Sequence, residues 1–426
     1  MHKFVIEGGR PLNGAVRPSG NKNEALPALC ACLLTDQPVT LKRMPRIGDV
    51  LTMLEILQGI GVRVEWTDHE TVVLDASKAH SSHPNYAMCA KVRASIMLLG
   101  PLLARFGQVE LAPPGGDVIG ARRIDTHWEG ITALGGILTL DRVISGRMPK
   151  IVGTDYYLDE PSVTATENLV MLATRAEGTT VLHNAASEPH VVGLCRLLNA
   201  MGAKISGIGS NRLEIEGVTS LHGAVHTIGA DFMEVGSFLC LGAIAKGKIT
   251  ITDINVDDMR YPLKVLGRLG IHPEIGRDSL TIDGTKPLVM RKDIGDRNGS
   301  IYSGPWPAFP TDLMSVAIVG ATQATGTMIF FEKMFEGRMF FTDNLMRMGA
   351  NIVLCDPHRI VVTGPSQLFS ANLSSPDVRA GMAIVMAALI ALGKSEIHNI
   401  YQIERGYQEI DRKLEVLGAA IKRVAV

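Results

Sequence analysis

The sequence predicts an α/β protein assembled from six copies of one unit, and two observations carry that reading. One phrase recurs: an amphipathic helix ends on an apolar residue and a glycine, and a strand follows. It stands at Gly61, Gly135, Gly202, Gly270, Gly349 and Gly418, at intervals of roughly seventy residues. A glycine there stops the helix in left-handed geometry and turns the chain into the strand. The second observation is what precedes each glycine: a first apolar helix, a turn of small residues, a β-rich run and a second helix.

The elements follow in order. Val50, Leu51, Leu54, Leu57 and Ile60 have helical period in the first copy, as do Val191, Leu194, Leu197 and Leu198 in the third. The helix–turn–strand passage is clearest at 173–183, 243–252 and 388–398, and trailing strands close units at 212–217, 279–284 and 359–364. A solenoid would want atypical polar caps at both ends, and neither end has that character. Two lobes of three units each are the economical alternative, with seams near Gly20 and Ile228–Asp231. That places the first lobe at 21–230 and the second at 1–20 plus 231–426.

Composition narrows the function classes. Aromatic residues are 5% and the formal charge is −1, so neither a stacking surface nor a basic field for nucleic acid is expected. The most apolar run, Ala383–Leu392, is too short to cross a membrane. The start, MHKFVIEGG, lacks a signal-peptide core, so a cytoplasmic protein is expected. Cys30, Cys32, Cys89, Cys195, Cys240 and Cys355 form no zinc or disulfide pattern and read as reduced core thiols.

One stretch departs from this apolar background. Pro113 to His127 combines a Gly115–Gly116 turn, the carboxylate Asp117, the adjacent Arg122 and Arg123, and Asp125. Packing alone does not ask for this combination, and cations are disfavoured at a helix start. The loop reads as anion-handling, with a solvated connection as the bland alternative.

Seven spaced motifs then carry a resemblance: SGNKNEALP at 19–27, VRAS at 92–95, PGGDVIGAR at 114–122, FPTD at 309–312, FEGR at 335–338, DVRA at 377–380 and IERGY at 403–407. Together they resemble the enolpyruvyl transferases over essentially the whole chain, in the branch whose acceptor is UDP-N-acetylglucosamine. The branch acting on shikimate-3-phosphate typically has Lys-Ser where this chain has Lys22–Asn23. The resemblance implies two inside-out α/β barrel lobes of three βαβαββ-type repeats, closing on substrate between them. It implies transfer of the enolpyruvyl group of phosphoenolpyruvate to a 3′-hydroxyl with release of phosphate, in peptidoglycan precursor synthesis. Only small-molecule substrates are implied as partners. Positive side chains suffice for the phosphate, so no metal or organic cofactor is expected.

The resemblance also assigns residues. Lys22 with Asn23, Arg122 and Arg405 would cradle phosphoenolpyruvate, joined by Arg338 and Arg379. Forked guanidinium groups suit such oxygens, at about 1.5–3 kcal/mol per charge-assisted bond. Taken singly, Lys22 could be a solvated helix-start lysine, Arg379 a partner of Asp377 and Arg405 a partner of Glu404. Asp312 would orient or deprotonate the 3′-hydroxyl; without the resemblance it reads as an N-cap. Arg93 would touch the nucleotide sugar. Arg122, Arg123, Ile124, Asp125 and Thr126 would line the uridine diphosphate pocket with Ser162, Val163 and the backbone of Met334.

Three positions depart from the family pattern. Asp117 stands where many members have a catalytic cysteine. A carboxyl can protonate the enol carbon only if its pKa rises from about 3.9, and a bound phosphoenolpyruvate anion pushes in that direction. Arg123 replaces a usual proline and Thr164 a usual glycine, which leaves open a related acceptor or a silent nucleotide-sugar-binding protein.

Overall fold

The computed structural model describes residues 2–116, 119–120 and 122–426. The residues group into two units. One runs from Gly20 to Gly229 apart from a piece of the glycine-rich loop; the other comprises the chain up to Ser19 and from Ala230 on, with 119–120.

Six sheets are present among the described residues, five of four strands and one of three. The repeat beginning at Asp155 shows the plan. Strand Asp155–Tyr157, helix Val163–Ala173, strand Thr179–His183, helix Pro189–Ala200 and strands Lys204–Ser206 and Arg212–Glu216 follow in order. The first strand pairs parallel with the second (Tyr156 with Leu182), and the other pairs are antiparallel (Leu182 with Leu213, Ile205 with Ile215). A parallel neighbour demands a crossover, which the first helix supplies.

The remaining repeats vary this plan. Strand Val225–Thr227 lies parallel to Val39–Lys42 and completes the sheet of the first repeat. Strand Gly14–Val16 does the same for Lys248–Thr252. The N-terminal strand His2–Glu7 sits between Lys394–His398 and Ala420–Ala425, joining both ends of the chain in one sheet. Among the described residues the sheet of Gln108–Leu111 has three strands, paired antiparallel.

The six phrase glycines have φ between 84° and 105°, the region where a side chain is strained. The recurrent glycine is therefore a backbone requirement of each helix-to-strand turn.

The first helix of each repeat lies inside its unit. In helix Phe232–Ile244 all thirteen residues are buried, the pattern of a helix apolar on every side. It packs with helices Thr311–Thr322 and Val378–Ile390 at the centre of its unit. A Cβ on Gly236 would lie 2.6 Å from Leu313 Cδ2, so the Leu313 side chain packs into the space a larger residue there would take. The apolar run at 383–392 belongs to helix Val378–Ile390, a core element. Among the described residues no helix is long and apolar enough to cross a membrane. Strands alternate as period-two elements must; in Lys248–Thr252, Ile249 and Ile251 face the core and their neighbours do not.

Two expectations change. Five of the six cysteines are buried, but Cys355 is exposed. It lies in strand Asn351–Asp356, whose residues from Val353 to Cys355 are all exposed, so it is not a core thiol. The Gly115–Gly116 pair also has a packing reason. A Cβ on Gly115 would fall 1.9 Å from Ala90 O, and Gly116, at φ +114°, would meet Arg93 Cβ at 2.8 Å. The glycines let the loop backbone lie directly on residues 90–93.

Candidate active site

A helix start presents unsatisfied backbone N–H groups and the positive end of its dipole, which makes it a natural anion site. The nominated side chains gather at such starts. Lys22 and Asn23 open helix Lys22–Ala31, and Arg93 opens the 3-10 turn Arg93–Leu98. Ser162 caps helix Val163–Ala173, while Asp312 and Arg379 are the second residues of Thr311–Thr322 and Val378–Ile390. Five of the six repeats thus place a nominated residue where the inner helix begins. In the fourth repeat the helix opens on Phe232 behind the cap Asp231.

In the unit Gly20–Gly229, Asn21 caps the first helix by accepting from Asn23 N and Glu24 N at 2.8 and 3.3 Å. Lys22 is not solvated. Its Nζ lies 2.6 Å from Asp49 Oδ2, with the two side chains only 12% and 7% exposed. A cation at a helix N-terminus is unfavourable, and Asp49, from the first turn of helix Gly48–Gly59, compensates it. Sequence reasoning passed over Asp49, whose only local signal was an acid near a helix start.

Arg93 braces the glycine-rich loop. Its Nη2 donates to Arg122 O at 2.9 Å and to Arg123 O at 3.1 Å. Burial, and then the neighbouring Arg122, lower its pKa to about 10, which leaves it a cation at neutral pH. Arg123 is exposed and its Nε donates to Asp125 Oδ2 at 2.9 Å. Ile124 is half-buried and its carbonyl accepts from His127 N and Trp128 N at the start of helix Asp125–Ala133. Thr126 is buried beside Glu160, with Oγ1 at 3.5 Å from Glu160 Oε1. Asp117 lies outside the described residues.

In the other unit Asp312 does not cap its helix, because Pro310 occupies that position. Its two oxygens instead accept from Arg338 Nη2 at 2.8 Å and Arg379 Nε at 2.9 Å. Two charge-assisted bonds orient the group and favour its ionised form. Both guanidinium groups are nearly buried. Burial opposes the Arg379 charge, but Asp312, Tyr407 and Asp231 outweigh it and hold its pKa well up. Asp377 and Glu404, the alternative partners named for Arg379 and Arg405, have other roles. Asp377 caps the helix of Arg379, accepting from its N–H at 2.8 Å. Glu404 pairs with Arg423, and Arg405, itself buried, donates from Nη1 to Gln402 Oε1 at 3.0 Å.

Ser315 Oγ donates to Arg379 O at 3.1 Å, so the starts of these two helices lie side by side. The Met334 N–H donates to Glu332 Oε1 at 2.8 Å, which leaves only its carbonyl for a ligand. Among the described residues no group of acids, histidines or cysteines is arranged to hold a metal ion.

The described cations flank carboxylates and helix starts in both units, an arrangement suited to a small polyanion and a sugar hydroxyl. The chain matches the family model described as EPSP synthase (3-phosphoshikimate 1-carboxyvinyltransferase) over residues 6–414. It is 50% identical over 423 residues to a UDP-N-acetylglucosamine 1-carboxyvinyltransferase of Treponema denticola, covering 99% of each chain. It is 51% identical to one of Borreliella burgdorferi over 425 residues, covering 100% of this chain and 99% of that one. In fold it is similar to the enolpyruvyl transferase NikO from Streptomyces tendae, with TM-score 0.89 at 23% identity over 100% of this chain and 99% of that one.

Proposed function

This chain belongs to the EPSP synthase family of enolpyruvyl transferases, and we propose that its acceptor is UDP-N-acetylglucosamine and its donor phosphoenolpyruvate. The observation that carries this reading is full-length identity of about half to relatives named for that reaction. Cations at the helix starts support it.

In this reading Lys22, Arg122 and Arg405 hold the phosphate and carboxylate of phosphoenolpyruvate. Asn23 adds a neutral hydrogen bond. Asp312, oriented by Arg338 and Arg379, takes the proton of the 3′-hydroxyl as that oxygen bonds to the enol C2. Asp117 gives a proton to C3; loss of a C3 proton then re-forms the C2–C3 double bond as the C2–O bond to phosphate breaks. Arg93 holds the Arg122 and Arg123 carbonyls, and so the shape of the nucleotide end. The process served is peptidoglycan precursor synthesis, hence cell shape and division, in the cytoplasm.

Phosphate release from phosphoenolpyruvate, measured across a panel of acceptors, tests the proposal. Release with UDP-N-acetylglucosamine is expected. Release with shikimate-3-phosphate instead, or with no acceptor at all, overturns it. Asp117→Asn is expected to lower turnover by about 10²–10⁴-fold, the worth of a positioned acid, while calorimetry finds the affinity for UDP-N-acetylglucosamine within about twofold. Retained turnover would remove Asp117 as the acid.

A further inference from the structure

A chain of four hydrogen bonds sets the tautomer of His127 and makes one hydroxyl an acceptor toward it. Asn168, fully buried in helix Val163–Ala173, accepts from Gly100 N at Oδ1 (2.8 Å) and donates from Nδ2 to Ile96 O (2.8 Å). A backbone N–H can only donate and a carbonyl can only accept, so the two contacts orient the amide. The same Nδ2 lies 2.9 Å from His127 Nδ1, which must therefore accept. A neutral imidazole carries its proton on the other nitrogen. His127 Nε2–H thus donates to Thr164 Oγ1 at 3.0 Å. Burial, and then Arg93, lower the His127 pKa to about 3, so the ring stays neutral.

The Thr164 hydroxyl accepts from His127, so its own proton is not spent on that contact. Among the described residues its hydroxyl is hydrogen-bonded to His127, and the residue is partly exposed. It is the second residue of a helix capped by Ser162, where backbone N–H groups also lack intrahelical partners. A hydroxyl donor at a positive helix end matches an anionic oxygen.

We propose that Thr164 is a specificity-determining residue that donates its hydroxyl proton to a diphosphate oxygen of the nucleotide sugar, with His127 and Asn168 as the positioning residues that aim it. This rests on the acceptor reading above and adds to it a side-chain contact at the position where the family usually has glycine.

The test uses the wild type, Thr164→Val and Thr164→Ser. Thr164→Val keeps the shape and removes the donor. It is expected to weaken UDP binding by calorimetry about tenfold or more, and to raise KM for UDP-N-acetylglucosamine in parallel. The KM for phosphoenolpyruvate and kcat should stay within about twofold. Thr164→Ser restores the donor and should return to within about threefold of the wild type. A wild type that turns over UDP-N-acetylglucosamine beside a Thr164→Val that binds UDP equally well overturns this inference alone. A wild type that binds no UDP overturns the acceptor reading and this inference together. Nitrogen NMR of His127 should show Nε2 protonated and Nδ1 bare from pH 5 to 8; a protonated Nδ1 overturns the positioning argument.

Discussion

Helices Lys22–Ala31 and Phe232–Ile244 start just after Gly20 and Ala230, where the chain passes from one unit to the other, and they are built alike. Asn21 caps one and Asp231 the other, each accepting from the N–H groups two and three residues on. The third residue of each is a buried glutamate. Glu24 Oε2 accepts from Gly229 N and Glu234 Oε2 from Ser19 N, both at 3.0 Å. The two then diverge. Glu24 Oε1 meets His226 Nε2 at 2.8 Å, whereas Glu234 Oε1 meets the Lys413 ammonium. The first residue is a paired lysine in one and Phe232, edge-on to Trp306, in the other. Caps and glutamates are the repeated scaffold, and the first helical residues are where chemistry is free to vary.

The largest effects come from striking that variable chemistry in each unit. Lys22→Ala and Asp312→Ala should each lower phosphate release by about 10²–10⁴-fold. They should differ in stability. Asp312→Ala strips the carboxylate shared by two nearly buried arginines, and should cost about 3–5 kcal/mol in denaturant unfolding. An Asp312→Ala protein as stable as the wild type would break this distinction.

The glutamate pair gives a sharper comparison. Glu234→Gln leaves the Lys413 ammonium facing an amide, and should cost about 3 kcal/mol. Glu24→Gln should cost about 1 kcal/mol or less, because a glutamine still offers hydrogen-bonding groups to Gly229 N and the His226 ring. Equal losses would show that the partners of the two glutamates are equivalent.

A pH dependence is expected from Glu167, a buried acid of the first unit with no counterpart among these pairs. Burial first, then Glu188 and Glu24, push its pKa well above 4.5. Between 4.5 and that raised value the native state binds the extra proton, so stability falls as pH rises. Glu167→Gln lacks this slope. It should melt higher than the wild type at pH 8, by a few degrees at roughly 1 kcal/mol, and the gap should narrow toward pH 4.5. A constant gap from pH 5 to 8 would refute the buried-acid account. The smallest effect concerns thiols. The buried Cys30, Cys32, Cys89, Cys195 and Cys240 have pKa values raised chiefly by burial. An alkylating epoxide should label at most Cys355 and change activity by less than about twofold, read by mass spectrometry and phosphate release.

Much of the architecture was legible because its causes are local. A glycine after a helix, a cap two residues before an apolar run and a period-two strand each act within one turn of chain. Gly418 could be read from its neighbours alone. Contacts between distant residues could not. Arg379 had an aspartate two residues away, yet its guanidinium went to Asp312, 67 residues distant, because the two inner helices start side by side. Lys22 found Asp49, and Arg93 the carbonyls of 122 and 123, for the same reason. Gly115 read as a flexible hinge until the backbone of residue 90 lay beneath it.

The sequence by itself determined the six-fold repetition, the helix stops and the residue types at each helix start, since these follow from backbone sterics and short-range hydrogen bonds. Tertiary structure alone decided which charges pair and which nitrogen of His127 carries the proton. An ion pair or an imidazole tautomer depends on what the packed helices bring within about 3 Å, and no local pattern encodes that.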